Sequence, residues 1–305
     1  MNKKFAIHIS TRNRVEDLVI TLNSLTEILS NDAVECVVYD DGSTDGTDKM
    51  VLEQFPKVKF LRNKTSKGYI YCRNYMLNET TSKYVLSLDD DATLLSNDVF
   101  EIAEKHFISN PKCALIAARI FWGKILPENY TETKEQISRV NGYVGCGHIW
   151  NLESWNKIPS YPEWFEFYGE ENFASFQIFK AGLEITYHPE IFIQHRVDVK
   201  ARKKGKEYQS RARKSLRSGW YLYFLFYPLK VIPKRMVYTL FTQIKNKTFK
   251  GDFKATLAIL QALFDVVKNI PNFIKNSNRL TIQEFKEFTN LPHTKIYWKP
   301  ENEQH

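Results

Sequence analysis

Short blocks rich in β-branched and aromatic residues alternate with segments of helical periodicity in the first part of the chain. Phe5 to Ile9, Val34 to Tyr39, Val58 to Leu61 and Tyr84 to Leu88 each run into polar or turn residues, the pattern of buried strands. Between them, Val15 to Leu29 places apolar side chains at Val15, Leu18, Leu22, Leu25 and Leu29, and the segments Asp48 to Phe55 and Tyr69 to Leu77 also read as helices. The order β-α-β-α-β-α-β predicts an α/β fold with a central, mainly parallel sheet flanked by helices. Further strands are expected at Ala114 to Ile120 and Ile185 to His188, a Gly-rich turn at Gly142 to Gly147, and a helix at Asn172 to Lys180. These complete one catalytic domain over residues 1–200. Residues 201–305 form a helical extension: a basic linker, an aromatic run, and a helix from Phe253 to Ile270 marked by Phe253, Leu257, Leu260, Phe264 and Val267.

Ligands of such sheets sit beyond the carboxyl ends of the strands. The polar clusters fall there. Ser10 to Arg14 follows the first strand, Asp40 to Thr47 the second, Asn63 to Gly68 the third, and Asp89 to Asp91 ends the fourth.

A chain of 305 residues with 43% hydrophobic composition has the apolar material for a full core, which excludes a disordered protein. Cys36, Cys72, Cys113 and Cys146 stand far apart without a CxxC pair, as expected of a reducing compartment. Met1 to Phe5 runs into a strand without the apolar stretch of a signal peptide, so a cytoplasmic location is expected. The most apolar run, Trp220 to Leu229, is about half the roughly 20 residues that cross a bilayer. It suits contact with a membrane and not passage through one.

The net charge of +8 is unevenly spread. From Arg196 to Lys250, 16 Lys or Arg face only Asp198 and Glu207, which makes this segment +14 and leaves −6 for the remainder. Basic residues beside Trp220, Tyr221, Tyr223 and Phe224 predict docking on an anionic membrane surface, peripheral on the inner face of the plasma membrane. The plainer alternative is a helical subdomain packed on the catalytic one.

Asp89, Asp90 and Asp91 concentrate three carboxylates at a strand end, where a divalent cation with oxygen ligands would relieve their repulsion. Asp40 is placed to accept a hydrogen bond from a pyrimidine base, and Arg12 and Arg73 to face a diphosphate. Gly42 and Gly46 lack the Gly-Lys-Thr or Gly-Lys-Ser of a Walker loop. Glu170 and Glu171 follow Trp164-Phe-Glu-Phe-Tyr-Gly169, an aromatic setting that raises a carboxyl pKa and suits a general base. The alternative for this pair is an acidic helix start. His195 stands alone beyond a strand, a position as suited to structure as to a metal or phosphate contact.

Thr11-Arg-Asn-Arg14, Val38-Tyr-Asp-Asp-Gly-Ser-Thr-Asp-Gly-Thr47, Gly68-Tyr-Ile-Tyr-Cys-Arg-Asn74 and Leu88-Asp-Asp-Asp91 together resemble the inverting family 2 glycosyltransferases, including those of bacterial cell-envelope polysaccharide synthesis. Tyr168-Gly-Glu-Glu-Asn172, Lys180-Ala-Gly182 and Pro189 to His195 are similar to that family's acidic base motif, helix and closing histidine. The resemblance implies a GT-A nucleotide-binding fold and transfer of a sugar from a UDP- or dTDP-sugar to a glycan or lipid-linked acceptor, with Mg²⁺ or Mn²⁺. It implies a donor-binding set of Thr11, Arg12, Arg14, Asp40, Asp41, Gly68, Arg73, Asp89 and Asp90. Asp89, Asp91 and His195 become the metal set, and Glu171 the catalytic carboxylate with Glu170 as its rival. Two departures stand out: Glu-Glu where many members have Glu-Asp, and Gln177 where an arginine is common.

Two other functions compete. A sugar nucleotidyltransferase would need a glycine-rich triphosphate loop, and Thr11-Arg-Asn-Arg14 has no glycine. A nucleic-acid-binding protein would use the basic, aromatic segment but leaves the acidic strand ends unexplained, so no nucleic acid partner is expected.

Overall fold

The computed structural model describes residues 3–126, 128, 130–197, 207–294 and 296–297. Strand β1 (Phe5–Thr11) leads to α1 (Val15–Asn23), β2 (Val34–Asp40), α2 (Thr47–Gln54), β3 (Lys59–Arg62), α3 (Tyr69–Glu79) and β4 (Tyr84–Asp89). A two-residue link, Asp90 and Asp91, joins β4 to β5 (Ala92–Leu94). Then come α4 (Val99–Ser109), β6 (Cys113–Trp122), β7 (Ser138–Val140), β8 (Gly147–Asn151), α5 (Leu152–Trp155), α6 (Glu170–Lys180) and β9 (Glu184–His195). The C-terminal part contributes α7 (Tyr208–Phe226), α8 (Ile232–Asn246), α9 (Phe253–Lys268), α10 (Ile270–Asn276), α11 (Ile282–Asn290) and the short β10 (Ile296–Tyr297).

One sheet runs β3-β2-β1-β4-β8-β6-β9-β5, with β10 on β6 and β7 on β9. Its first half is parallel, as expected. Its second half is mixed, because β8 lies antiparallel between β4 and β6. Alternate residues of β1 feed opposite faces: Ala6 joins one apolar cluster, while Phe5, Ile7 and Ile9 join the other. The expected helix from Val15 to Leu29 is shorter. Ser24 Oγ donates to Thr21 O at 2.7 Å and Thr26 Oγ1 to Asn23 O at 2.9 Å, so hydroxyls occupy carbonyls at the helix end. A 3₁₀ turn, Ile28–Ser30, follows.

The aromatic run of the extension is internal. Trp220 and Tyr221 are fully buried, which overturns their expected role at a membrane interface, and Tyr223 and Phe224 are half-buried against the same cluster. Phe226 of α7 stacks on Phe176 of α6 with centroids 4.7 Å apart, and Phe288 of α11 stacks on the same ring at 4.4 Å. Asp265 joins α9 to α7 by accepting from Arg213 Nε at 2.6 Å, and the buried Arg217 donates to Phe165 O at 2.8 Å. The apolar stripe that marks α9 in the sequence points outward: Leu260 and Phe264 are exposed, while Ala255, Ala258 and Ala262 face α7. Most of the basic linker and the boundary expected at 200/201 lie outside the described residues.

Candidate active site

Parallel pairing brings the strand ends level. Thr11 stands opposite Asp40, Asp40 opposite Arg62, and Ser10 opposite Asp89, so the loops that follow open on one crevice. The first two loops are laced together. Asn13, at φ +53°, donates its N–H to Ser43 Oγ at 2.8 Å and accepts from Thr44 N at 2.7 Å. Arg12 is exposed on the first of these loops.

Asp40 is fully buried. Its Oδ1 accepts from Ser43 N at 2.9 Å, and Arg62 Nε lies 3.2 Å from Oδ2, which has no aligned hydrogen bond. Asp41 has a different task. It accepts from Asn63 Nδ2 and Lys67 N, both at 2.8 Å, and from Gly68 N at 3.0 Å. These bonds outweigh burial and hold its carboxyl below the usual range. Both its oxygens are committed to shaping the 63–68 loop, where the resemblance implies donor contact. Gly68, at φ +100°, turns the chain into α3.

The acidic triplet divides. Asp90 turns inward, where its Oδ2 accepts from Thr11 Oγ1 at 2.8 Å and Arg14 stands 3.3 Å from its Oδ1. Burial pushes its carboxyl up to about 7, against the pull of Arg14. Its side chain thus ties the link to β1, in place of the donor contact the resemblance implies. Asp89 and Asp91 point the other way and meet His195 at the end of β9, with one ligand atom from each within 4.8 Å of the others. His195 Nε2 is 3.1 Å from Asp91 Oδ1 and 4.0 Å from Asp89 Oδ2. Arg14 donates to Asp91 Oδ2 at 2.8 Å. Burial alone would discharge His195, but the Cys146 thiol and Asp91 beside it turn the shift upward, to about 11.

Arg73 couples this cluster to α6. Its guanidinium is buried, stacks 4.3 Å over the Tyr69 ring, and donates from one nitrogen to Asp89 Oδ1 and Gly145 O, each at 2.7 Å. It therefore orients Asp89 from behind, where a diphosphate contact was expected. Tyr69 OH donates to the same oxygen at 3.1 Å. Gly145 abuts Glu171, the half-buried second residue of α6. Glu170 is buried, and its Oε2 has no hydrogen-bond partner. Burial raises the Glu170 carboxyl well above the ordinary value, helped by Glu171, and raises Glu171 against the pull of Arg73. The turn before them holds Glu166 and Tyr168 at positive φ, a costly backbone that aims the start of α6.

Tyr69, Arg62 and Gly145 were not singled out as site residues by the sequence. Tyr69 lies inside the Gly68 to Asn74 motif and Gly145 inside the Gly-rich turn, so position was legible and contact was not. Gln177 accepts from Asn278 Nδ2 at 2.8 Å, so it bonds the C-terminal segment.

The family model named Glycosyl transferase family 2 matches residues 6–169, from β1 to the turn before α6. The chain belongs to this family. It is 29% identical over 146 residues to the uncharacterized glycosyltransferase YfnE of Bacillus subtilis (strain 168). That match takes in 46% of this chain but only 36% of the relative. Among solved structures, the mannosyltransferase PcManGT from Pyrobaculum calidifontis, in complex with GDP-Man and Mn²⁺, superposes with a TM-score of 0.52 at 16% identity. It covers 72% of this chain and 64% of that one. TarS 1-349 of S. aureus gives 0.50 at 18% identity over 72% of each chain. GalNAc-T7 with UDP, GalNAc and Mn²⁺ gives 0.54 at 16% identity, covering 72% of this chain and 49% of its own. At these identities the shared property is the fold, the GT-A type that the sequence motifs implied.

Proposed function

We propose that the chain is a metal-dependent, inverting glycosyltransferase. It moves a sugar from a UDP- or dTDP-sugar to a hydroxyl of a glycan or lipid-linked acceptor, in cell-envelope polysaccharide or glycolipid synthesis on the cytoplasmic side. The observation that carries this reading is the meeting of Asp89, Asp91 and His195, linked through Arg73 and Gly145 to Glu171 at the start of α6.

Two carboxylates and a buried imidazole, neither of whose nitrogens makes an aligned hydrogen bond, fit a divalent cation such as Mn²⁺ or Mg²⁺. When bound there, the cation would stabilise the charge that develops on the departing diphosphate. Asp40, with its unaligned Oδ2, is suited to receive a donor hydrogen bond from the base, and Thr11 and Arg12 border the same crevice.

Glu171 takes the acceptor's proton as the hydroxyl attacks, a contribution of about 10²- to 10⁴-fold. It is the better base of the pair because it is only partly buried, whereas Glu170 is enclosed and burial raises its carboxyl well above the ordinary value. Attack from the face opposite the leaving group inverts the anomeric centre. Four buried, unpaired cysteines support a reducing compartment.

The test is a panel of nucleotide sugars, assayed for release of free nucleotide diphosphate with Mn²⁺ or Mg²⁺. Release should require the metal and vanish with Asp91→Asn, and Glu171→Gln should bind donor without transferring. Donor affinity indifferent to EDTA, or a Glu171→Gln enzyme with full turnover beside an inactive Glu170→Gln, would overturn the metal site or the choice of base.

A further inference from the structure

Helix α9 buries Ile259 and Val266 but carries a second stripe of large apolar side chains on the solvent side. Small residues Ala255, Ala258 and Ala262 face α7, whereas Phe253, Leu257, Leu260, Phe264 and Val267 stand outward at successive turns, 47% to 84% exposed. Ile270 and Ile274 continue the stripe on α10. Helix α8 presents Val237, Tyr238 and Phe241 outward, and the turn between α8 and α9 exposes Phe249. Exposed apolar residues on α1, α2 and α4 stand singly, so this concentration marks a surface that something covers.

Charge identifies what covers it. Lys254, Lys268 and Lys275 flank the stripe on α9 and α10, and Lys234, Arg235 and Lys245 flank the patch on α8; all six are exposed. The single carboxylate in these three helices, Asp265, is buried against Arg213. A second copy of this face would bring like charges together, whereas an anionic lipid surface complements every one of them. Among the described residues no single helix is long and apolar enough to cross a membrane; α9 and α10 reach that length only together, with a bend of 54° between them. One side of each is packed into the protein, so the pair can recline on a membrane without leaving the fold.

We propose that α8, α9 and α10 lie in the headgroup region of an anionic bilayer, with Leu260 and Phe264 inserted and the flanking lysines on the lipid phosphates. This surface is separate from the crevice, and the proposal stands whatever reaction the crevice performs.

Flotation of the purified full-length chain with phosphatidylglycerol–phosphatidylcholine vesicles, against pure phosphatidylcholine, tests it. The chain should float with the anionic vesicles, and binding should weaken with salt as the Debye length shrinks. Leu260→Glu with Phe264→Glu should lower vesicle binding by at least about tenfold, since each change replaces inserted apolar surface with charge of the wrong sign. Both positions are exposed, so its thermal melting should match the parent. Lys254→Glu with Lys268→Glu should abolish the preference for anionic lipid. A parent chain that stays with the unbound fraction, or a double glutamate variant that floats as well as the parent, overturns the proposal. So does sedimentation showing a dimer that the glutamates dissociate while vesicle binding persists.

Discussion

Glu171 lies against the α-carbon of Gly145 so closely that a methyl group there would stand 2.1 Å from its Oε1. The backbone of Gly145 also accepts from Arg73, which holds Asp89. Gly145→Ala should therefore displace the base and disturb the metal-facing carboxylate in one step. We expect kcat to fall about 10- to 100-fold, as misplacement of a reacting group by about an ångström does. Donor affinity, measured by calorimetry, should change much less. Full kcat in the alanine variant would remove Glu171 from the reaction.

The paired carboxyls predict opposite pH signatures. Glu171 must be ionised to act, and burial raises its pKa, so the acidic limb of the kcat profile should lie above the ordinary glutamate value of 4.5. Glu171→Gln should leave no such limb on its residual rate.

Stability isolates Glu170. Its pKa is raised in the folded state, so the folded chain binds that proton more tightly than the unfolded one. Its stabilising contribution is complete below the unfolded value and disappears as pH rises through the folded value. Glu170→Gln should accordingly raise Tm at neutral and alkaline pH, with the gain shrinking toward acid. An unchanged difference across pH would place the carboxyl in water.

Tyr69 supports Asp89 through its hydroxyl. Tyr69→Phe deletes the 3.1 Å bond and leaves the ring on which Arg73 stacks. Mn²⁺ affinity, followed by electron paramagnetic resonance, should drop about tenfold, in the range seen when an outer partner of a metal ligand is removed. Fold and Tm should hold.

Asp265 is buried and neutralises Arg213 and Arg217, the latter also buried. Asp265→Ala leaves Arg217 without this partner in the interior and should cost about 3 to 5 kcal/mol. The midpoint of urea unfolding reports it. A loss under about 1 kcal/mol would mean that Glu166, 3.0 Å from Arg217, satisfies the guanidinium by itself.

Much of this site could be read from residue order. The first four strands begin and end within a residue or two of where their apolar blocks do; β1, β2 and β4 are buried and need continuous apolar runs, and turns need polar residues. Strand ends then fixed the neighbourhood of Thr11, Asp40 and the aspartate triplet. What spacing cannot encode is which way a side chain faces. Asp90 sits between Asp89 and Asp91 yet turns to Thr11 and Arg14, and Asp41 follows Asp40 yet holds the neighbouring 63–68 loop. Helix α9 makes the same point at larger scale. Its periodicity marks one apolar stripe, but that stripe is outside, and the buried side is made of Ala255, Ala258, Ile259, Ala262 and Val266. Strand β8 is not legible in the sequence because its five residues, Gly-His-Ile-Trp-Asn, carry no alternation and emerge directly from a Gly-rich turn.

The packed rings of Phe173, Phe176, Phe226 and Phe288 join the helix that begins with Glu170 and Glu171 to the last third of the molecule. Cutting the backbone between Val197 and Glu207 should consequently yield two fragments that copurify. A fragment expressed without its partner would present that aromatic seam to water and aggregate.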